Sequence, residues 1–261
     1  MSFAVLRVVS WFASTAGTLL LLLGTMLPLQ GAHALSTTHQ QAGASRQPLR
    51  PAVQDRDLNA AWQSYKRGAL DAAFRSYSRA AERGRSIGQY NVAMMLFNGE
   101  GVAADAARAR DWLARAARGG LAQAQYNQGL LYENGDGVTR SQAEATRWFQ
   151  RAAEQGHADA QVSLATQYFL GRGVAKDEAR AAHWYERAAK NGVAEAQYII
   201  ASCYEHGEGV KPDNKRAVYW YTQAGRQGDR AAAEKAKVLS AAAKVAPAPE
   251  TGNAKPGARR S

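Results

Sequence analysis

From about residue 86 to residue 230, small and apolar residues fall on two helical stripes that alternate along the chain. On the first stripe Gln125, Gln128, Gly129 and Tyr132 stand at i, i+3, i+4 and i+7. Gln161, Leu164, Ala165 and Tyr168 repeat the spacing, as do Gln197, Ile200, Ala201 and Tyr204. That spacing puts four side chains on one face of an α-helix. On the second stripe Ala145, Trp148, Phe149, Ala152 and Ala153 share a face. Polar residues and a Gly-x-Gly-Val turn separate the two. The spacing predicts a helix A over residues 122–133, ended by Asn134-Gly135-Asp136-Gly137, because glycine adopts the left-handed C-terminal cap at little steric cost. A helix B then starts near Ser141, whose distance from Glu144 is that of a capping box. Asp105, Asp177 and Asp213 hold the same position in other units and are expected to cap as well.

The pair of stripes returns every 36 residues. Trp112, Trp148, Trp184 and Trp220 keep that period. So do the turn glycines: Gly99 with Gly101, Gly135 with Gly137, Gly171 with Gly173, and Gly207 with Gly209. These eight glycines are expected to be structural positions of the repeat. A Gln opens each unit (Gln89, Gln125, Gln161, Gln197) and an Ala precedes each Trp (Ala109, Ala145, Ala181, Ala217). A fixed period of this length marks a stacked array in which each hairpin contacts its neighbours. The expected fold is therefore all-α, an α/α superhelical solenoid of about five helix hairpins closed by a C-terminal capping helix. Residues 60–84 read as a divergent first hairpin without the Gly-x-Gly turn, and residues 229–244 as the closing helix. Small residues at fixed positions let helix axes approach within roughly 8–10 Å. Each Trp is expected to fill the gap between hairpins.

Outside the array the composition changes. Arg7 is the only charged residue before Arg46, residues 8–29 are uncharged with a dense apolar centre at residues 19–23, and Ala32-His33-Ala34 follows. This is the pattern of a secretory signal over residues 1–34, cut before Leu35. An uncleaved membrane anchor is the alternative, since 22 uncharged residues are long enough to span a bilayer. Residues 35–58 have few aliphatics and contain Pro48 and Pro51, the composition of a flexible linker. The array is expected over residues 59–240, and a disordered basic tail over residues 241–261. The expected location is periplasmic or secreted, or anchored in the inner membrane if the first segment stays.

The formal net charge is +11 and Cys203 is the only cysteine, so no intramolecular disulfide can form. The basic excess attracts anionic polymers or lipid head groups, unless it is only the solvated faces of Arg-rich helices. No nucleic-acid module is recognisable. His157, His183 and His206 occupy different places in their repeats and form no recognised metal-binding spacing, which argues against a metal site. No hydrolase or phosphate-binding motif is present. The Gly-x-Gly turns lack both the preceding strand and the third Gly of a dinucleotide site. No cofactor and no catalysis are expected.

The run Ala160-Gln161…Ala165…Tyr168…Gly171-Arg172-Gly173-Val174…Asp177…Ala181…Trp184-Tyr185…Ala188-Ala189…Gly192 resembles the Sel1-like repeat, a member of the broader tetratricopeptide class. The resemblance covers about residues 86–230 in four copies. Leu96, Leu113 and Gly225 depart from the pattern locally. The resemblance implies an adaptor, and exported bacterial members are associated with envelope assembly, polysaccharide export, signalling and host contact. Some secreted relatives with paired cysteines have been linked to β-lactam binding. This chain lacks the pairs, so that association does not carry over.

Function is expected where positions vary inside a constant frame. On the helix A face opposite the core stripe these are Asn91/Met94/Met95/Asn98, Asn127/Leu130/Leu131/Asn134, Ser163/Thr166/Gln167/Leu170 and Ile199/Ser202/Cys203/His206. If helices A line a concave side, the candidate partner site comprises Met94, Met95, Asn98, Asn127, Leu130, Leu131, Asn134, Thr166 and Gln167. Its Met/Leu strip flanked by Asn suits an amphipathic helix or extended peptide from another envelope or exported protein. The alternative is that these side chains complete packing within or between hairpins. A partner of another class is an anionic envelope polysaccharide or peptidoglycan, bound by exposed aromatics and arginines.

Overall fold

Local capping chemistry sets where each helix starts and stops. The computed structural model describes residues 46–51 and 55–245. Among these residues there are eleven helices and no strand: α1 (Arg56–Lys66), α2 (Leu70–Glu82), α3 (Ser86–Asn98), α4 (Ala106–Arg118), α5 (Ala122–Asn134), α6 (Gln142–Glu154), α7 (Ala158–Leu170), α8 (Glu178–Lys190), α9 (Ala194–His206), α10 (Asn214–Arg226) and α11 (Arg230–Val245). Each helix packs on the one before and the one after it, and none has comparably broad contact with a more distant helix. This is a one-dimensional α/α array. The expected signal (1–34), the first part of the linker and the tail from residue 246 lie outside the described residues.

The two glycines of each turn between helices A and B do different jobs. Only the first is the cap. Gly99, Gly135, Gly171 and Gly207 are left-handed, and their N–H groups donate to the carbonyls of Met95, Leu131, Gln167 and Cys203. The second glycine lies beyond the cap and is required by close approach to the preceding hairpin. Gly209, left-handed at φ 71°, shows this most clearly: a Cβ there would run into the Glu178 carbonyl at the start of α8. Gly101 and Gly173 sit in the same way on the Leu70 and Gln142 backbones, at the starts of α2 and α6. At Gly137 the obstacle is instead the Arg110 guanidinium of α4, a side chain that can move. The absent side chain is thus what lets one turn rest on the hairpin before it.

After the turn, carboxylate or hydroxyl side chains cap helix B. Asp105 accepts from the Arg108 N–H at 3.0 Å, Ser141 from Glu144 at 3.3 Å, Asp177 from Arg180 at 2.8 Å and Asp213 from Arg216 at 3.0 Å. The reciprocal half of the capping box expected at Ser141 does not form. The Ser141 N–H instead donates to the Tyr132 carbonyl at 2.9 Å, and Glu144 pairs with Arg147. Asp105, Asp177 and Asp213 use their own N–H groups in the same way, on Leu96, Tyr168 and Tyr204. Each cap therefore ties helix B to the end of helix A.

The glutamine that opens each unit is the seam fastener. Gln89, Gln125, Gln161 and Gln197 are buried, and each Nε2 donates to a carbonyl near the end of the preceding helix B, on Ala81, Ala117, Ala153 and Ala189, at 3.1–3.3 Å. The Oε1 of the last three in turn accepts from the residue that caps the end of helix B in the same unit: from Gln155 at 2.7 Å, Asn191 at 2.8 Å and Gln227 at 2.8 Å. Gly119 stands where the first seam would need such a donor. An amide buried with its donors and acceptors matched stabilises; left half-matched it costs about 1–3 kcal/mol.

The tryptophans pack differently from the expectation that all four fill gaps between hairpins. Trp184 and Trp220 are buried, while Trp112 and Trp148 are only half-buried. The Arg115, Arg151 and Arg187 guanidinium groups cover the indoles one turn before them, 4.5–4.8 Å from the ring centroids. The fully enclosed side chain is the next one along: Leu113, Phe149, Tyr185 and Tyr221 are at most 1 % exposed. In the second unit Phe149 packs on Gly129 of its partner helix A, where a Cβ would strike the Phe149 ring. Gly225 departs from the repeat for a similar reason, since an added Cβ would lie 3.0 Å from that of Ala233 in α11.

The boundaries also shift. Asp55 caps α1 by accepting from the Leu58 N–H, and Leu58 is buried, so the array begins three residues before the expected residue 59. At the other end α11 runs past residue 240 to Val245.

Candidate functional site

The face to test is the one presented by the A helices α3, α5, α7 and α9. The expected surface strip of Met94, Met95, Leu130 and Leu131 is interior. The two methionines are 1 % and 0 % exposed, the two leucines 7 % each. Met94 belongs to a cluster with Tyr90, Leu113 and Leu131, and Met95 to one with Leu58, Ala61 and Leu96. The reason is that α3 is enclosed all round: every residue from Gly88 to Leu96 is buried. A helix apolar on all sides belongs inside, and its second stripe is then packing rather than a free face.

The polar members of the site divide. Asn98 and Asn134 are exposed and Thr166 is half-buried, whereas Asn127 and Gln167 are buried and serve as links between successive A helices. The Asn127 amide donates to the Tyr90 hydroxyl at 3.3 Å and accepts from Gln123 at 3.1 Å. The Gln167 amide donates to Glu133 Oε1 at 2.8 Å. Thr166 donates to the Val162 carbonyl and so accepts from Tyr185, whose hydroxyl is 3.0 Å away. The repeat glycines, from Gly99 to Gly209, stand in the turns beyond these helices and build the frame rather than the face.

Two carboxylates on this face were missed from the sequence. Burial pushes the Glu133 carboxyl above its usual pKa, against the opposing pull of Gln167, Arg172 and Arg140. Burial also raises Glu205, but Lys235 at 2.9 Å and the Tyr221 hydroxyl at 2.7 Å outweigh it and hold that carboxyl below the usual range. A signal was there to find: the position alternates Phe97, Glu133, Phe169, Glu205 at the 36-residue period.

A second omission is larger. Residues 46–51, inside the segment expected to be a flexible linker, lie along α3. The Leu49 N–H donates to Asn91 Oδ1 at 2.6 Å, while Asn91 Nδ2 donates back to the Leu49 carbonyl at 2.9 Å. Two turns on, Asn98 Nδ2 donates to the Arg46 carbonyl at 2.9 Å. Pro48 and Pro51 are buried, Leu49 packs on the Met94 cluster, and the Arg46 guanidinium lies 5.3 Å from the centre of the Phe97 ring. Composition alone reads such a stretch as a linker, because Pro, Gln and Arg supply little apolar area.

Other candidate chemistry takes structural roles. The His157 Nδ1 accepts from the Ala160 N–H at 3.2 Å as the cap of α7, and its Nε2 lies 3.0 Å from Gln123 Oε1. Its ring stacks on Tyr126, and burial lowers its pKa. Burial also pushes the Cys203 thiol up to about 12, which keeps it protonated and unreactive. Among the described residues no group of three or more His, Cys, Asp or Glu is arranged to hold a metal ion. A cavity of about 590 Å³ opens at the C-terminal end, lined by Thr222, Ala233, Ala236 and Lys237 among others, without a carboxylate, imidazole or thiol.

The Sel1 repeat pattern matches residues 86–121, 122–157, 158–193 and 194–229. These four units meet end to end and begin where α3, α5, α7 and α9 begin. Among solved structures, the chain is similar to a protective antigen of uropathogenic Escherichia coli strains that displays an SLR fold. The identity is 29 %, the TM-score 0.66, and 72 % of this chain and 41 % of that one are covered. It is also similar to a Sel1 repeat protein of Oxalobacter formigenes, with 33 % identity, a TM-score of 0.61 and coverage of 65 % and 49 %. The chain thus spans less than half the length of either. No curated protein matches it. With four consecutive units over more than half of its length, the chain belongs to the Sel1-repeat family.

Proposed function

We propose that this chain is a non-enzymatic scaffold that binds another envelope or exported protein along its A-helix face. Sel1-repeat proteins are generally protein-interaction scaffolds. One observation supports the location above all: Asn91 and Asn98 on that face already hold an extended stretch of chain through its backbone groups. The envelope setting rests on the apolar stretch at residues 8–29 and on Ala32-His33-Ala34 after it. An anionic polysaccharide or peptidoglycan is the less favoured partner, because guanidinium groups already cover the indoles of Trp112, Trp148 and Trp184 that a sugar ring would stack on.

Site-specific photocrosslinking tests the reading. A photoreactive residue at Asn134, exposed on the A-helix face, is expected to capture a defined partner. One at Arg147, exposed on α6, is not. Capture from Arg147 alone, or from neither position, would defeat the proposal.

A further inference from the structure

The segment at residues 46–51 has the features of a ligand in place, not of a structural strut. Among the described residues two side chains, Asn91 and Asn98, hydrogen-bond to it, and they address its backbone: one N–H and the carbonyls of Arg46 and Leu49. Such contacts accept any extended chain, whatever its sequence. Selectivity comes from three side chains. Pro48 is buried and brings no N–H that would need a partner, and proline also lowers the conformational entropy lost on docking. Leu49 enters the apolar cluster around Met94 and Leu131, and Arg46 caps the Phe97 ring. Gln47 and Arg50 are exposed and add no visible selection.

We propose that the α3 face is a recognition site for an extended partner segment with a basic residue two positions before a proline and an aliphatic residue after it. Residues 46–51, with the sequence Arg-Gln-Pro-Leu-Arg-Pro, occupy that site in cis and must leave before the partner enters. The segment is thus an autoinhibitory strap. The proposal deepens the scaffold reading and rests on it for the existence of a natural partner, but the groove and its competition with the strap can be measured without that partner. A tethered occupant competes at a local concentration in the millimolar range. An incoming peptide therefore binds the native chain far more weakly than a chain whose strap is disabled.

The probe is a fluorescein-labelled synthetic peptide of residues 44–52, read by fluorescence anisotropy against the full chain and against a Pro48→Asp/Leu49→Asp variant. Circular dichroism first confirms unchanged helix content. The strap variant is expected to bind the peptide at least tenfold more tightly than the native chain. Adding Asn91→Ala should abolish that binding. Adding Asn98→Ala instead, at an exposed position, should weaken it several-fold. Three results would overturn the proposal: no binding to the strap variant, equal binding to both chains, or binding indifferent to both asparagine changes. Hydrogen exchange gives an independent check, since the Leu49 amide of the native chain should exchange more slowly than in the free peptide. Equal rates would likewise remove the strap. A failed photocrosslinking experiment together with positive peptide binding would leave the groove intact and discard only the envelope partner.

Discussion

The A helices of the first two full units and those of the last two share one 36-residue frame but are filled in opposite ways. In α3 and α5 the inner positions are Met94, Met95, Leu130 and Leu131, enclosed by neighbouring helices and, beside α3, by the strap. In α7 and α9 the matching positions are Thr166, Gln167, Ser202 and Cys203. There hydroxyl and amide groups bond to Tyr185 and Glu133, and Tyr221, Glu205 and Lys235 extend the polar network into the last hairpins. The frame tolerates both solutions, because it is held by the turn glycines, the caps and the seam glutamines, which use the backbone of these positions and not their side chains. Apolar filling stabilises through burial alone, while polar filling fixes geometry through directed hydrogen bonds, with Gln167, Ser202 and Cys203 as enclosed as the two leucines.

The largest effect should come from putting charge into the apolar half. Met95→Lys buries an ammonium group without a partner and should cost more than about 3 kcal/mol. Thr166→Lys, in the polar half, should cost about 1 kcal/mol for the lost hydrogen bond to Tyr185. Thermal or urea unfolding of the two variants would measure the gap; equal losses would erase the distinction between the halves.

Next in size are the seams. Gln161→Ala removes one hydrogen bond each from the Ala153 carbonyl and the Asn191 amide, at about 1–3 kcal/mol. Gln89→Ala should cost less, because Gly119 offers no side chain to bridge that seam. A larger loss at Gln89 than at Gln161 would contradict the ladder.

A smaller effect, visible in pH titrations of stability, separates the two titrating groups at the junction of the halves. His157 has a lowered pKa in the folded chain, so the unfolded chain binds the proton more tightly. Its contribution is complete above pH 6.5 and is lost as pH falls from there toward the lowered folded value. Protonation turns Nδ1 into a donor facing the Ala160 N–H, which removes a cap of about 1 kcal/mol. His157→Asn keeps a capping side chain and should flatten this slope. Glu133 carries the opposite sign: its folded pKa is raised, so its contribution is greatest below pH 4.5 and declines as pH rises toward the raised value. Glu133→Gln should remove that decline. A His157→Asn variant with the native slope would show that the imidazole does not report on this seam. The smallest effect belongs to Asn134→Ala, exposed at the end of α5, which should stay within about 0.5 kcal/mol.

Much of the frame was legible without coordinates. The caps at Asp105, Ser141, Asp177 and Asp213, the left-handed first glycines and the helix limits all depend on chemistry within four or five residues, and sequence spacing displays such chemistry directly. The role of the second glycine was not legible, because Gly209 answers to Glu178, one hairpin earlier. The candidate partner site was legible only in part. Asn98 and Asn134 are exposed as a partner site requires, but the Met/Leu strip is interior. A second apolar stripe on a helix can face a groove or a neighbouring helix, and periodicity does not distinguish the two. Glu133 and Glu205 were overlooked because a carboxylate near a helix end reads as solvated surface until the residue opposite it is known.

The sequence by itself determined the period, the hairpin as the repeating unit and the chemistry that starts and stops each helix, since these follow from dihedral preferences and hydrogen bonds closed within a single turn. Only the tertiary structure decided which A-helix positions are enclosed, that Gln167 reaches Glu133, and that residues 46–51 rest on Asn91 and Asn98. Those contacts join residues 34 to 52 positions apart. Over such separations no local preference operates, and the stacking of hairpins alone sets which groups meet.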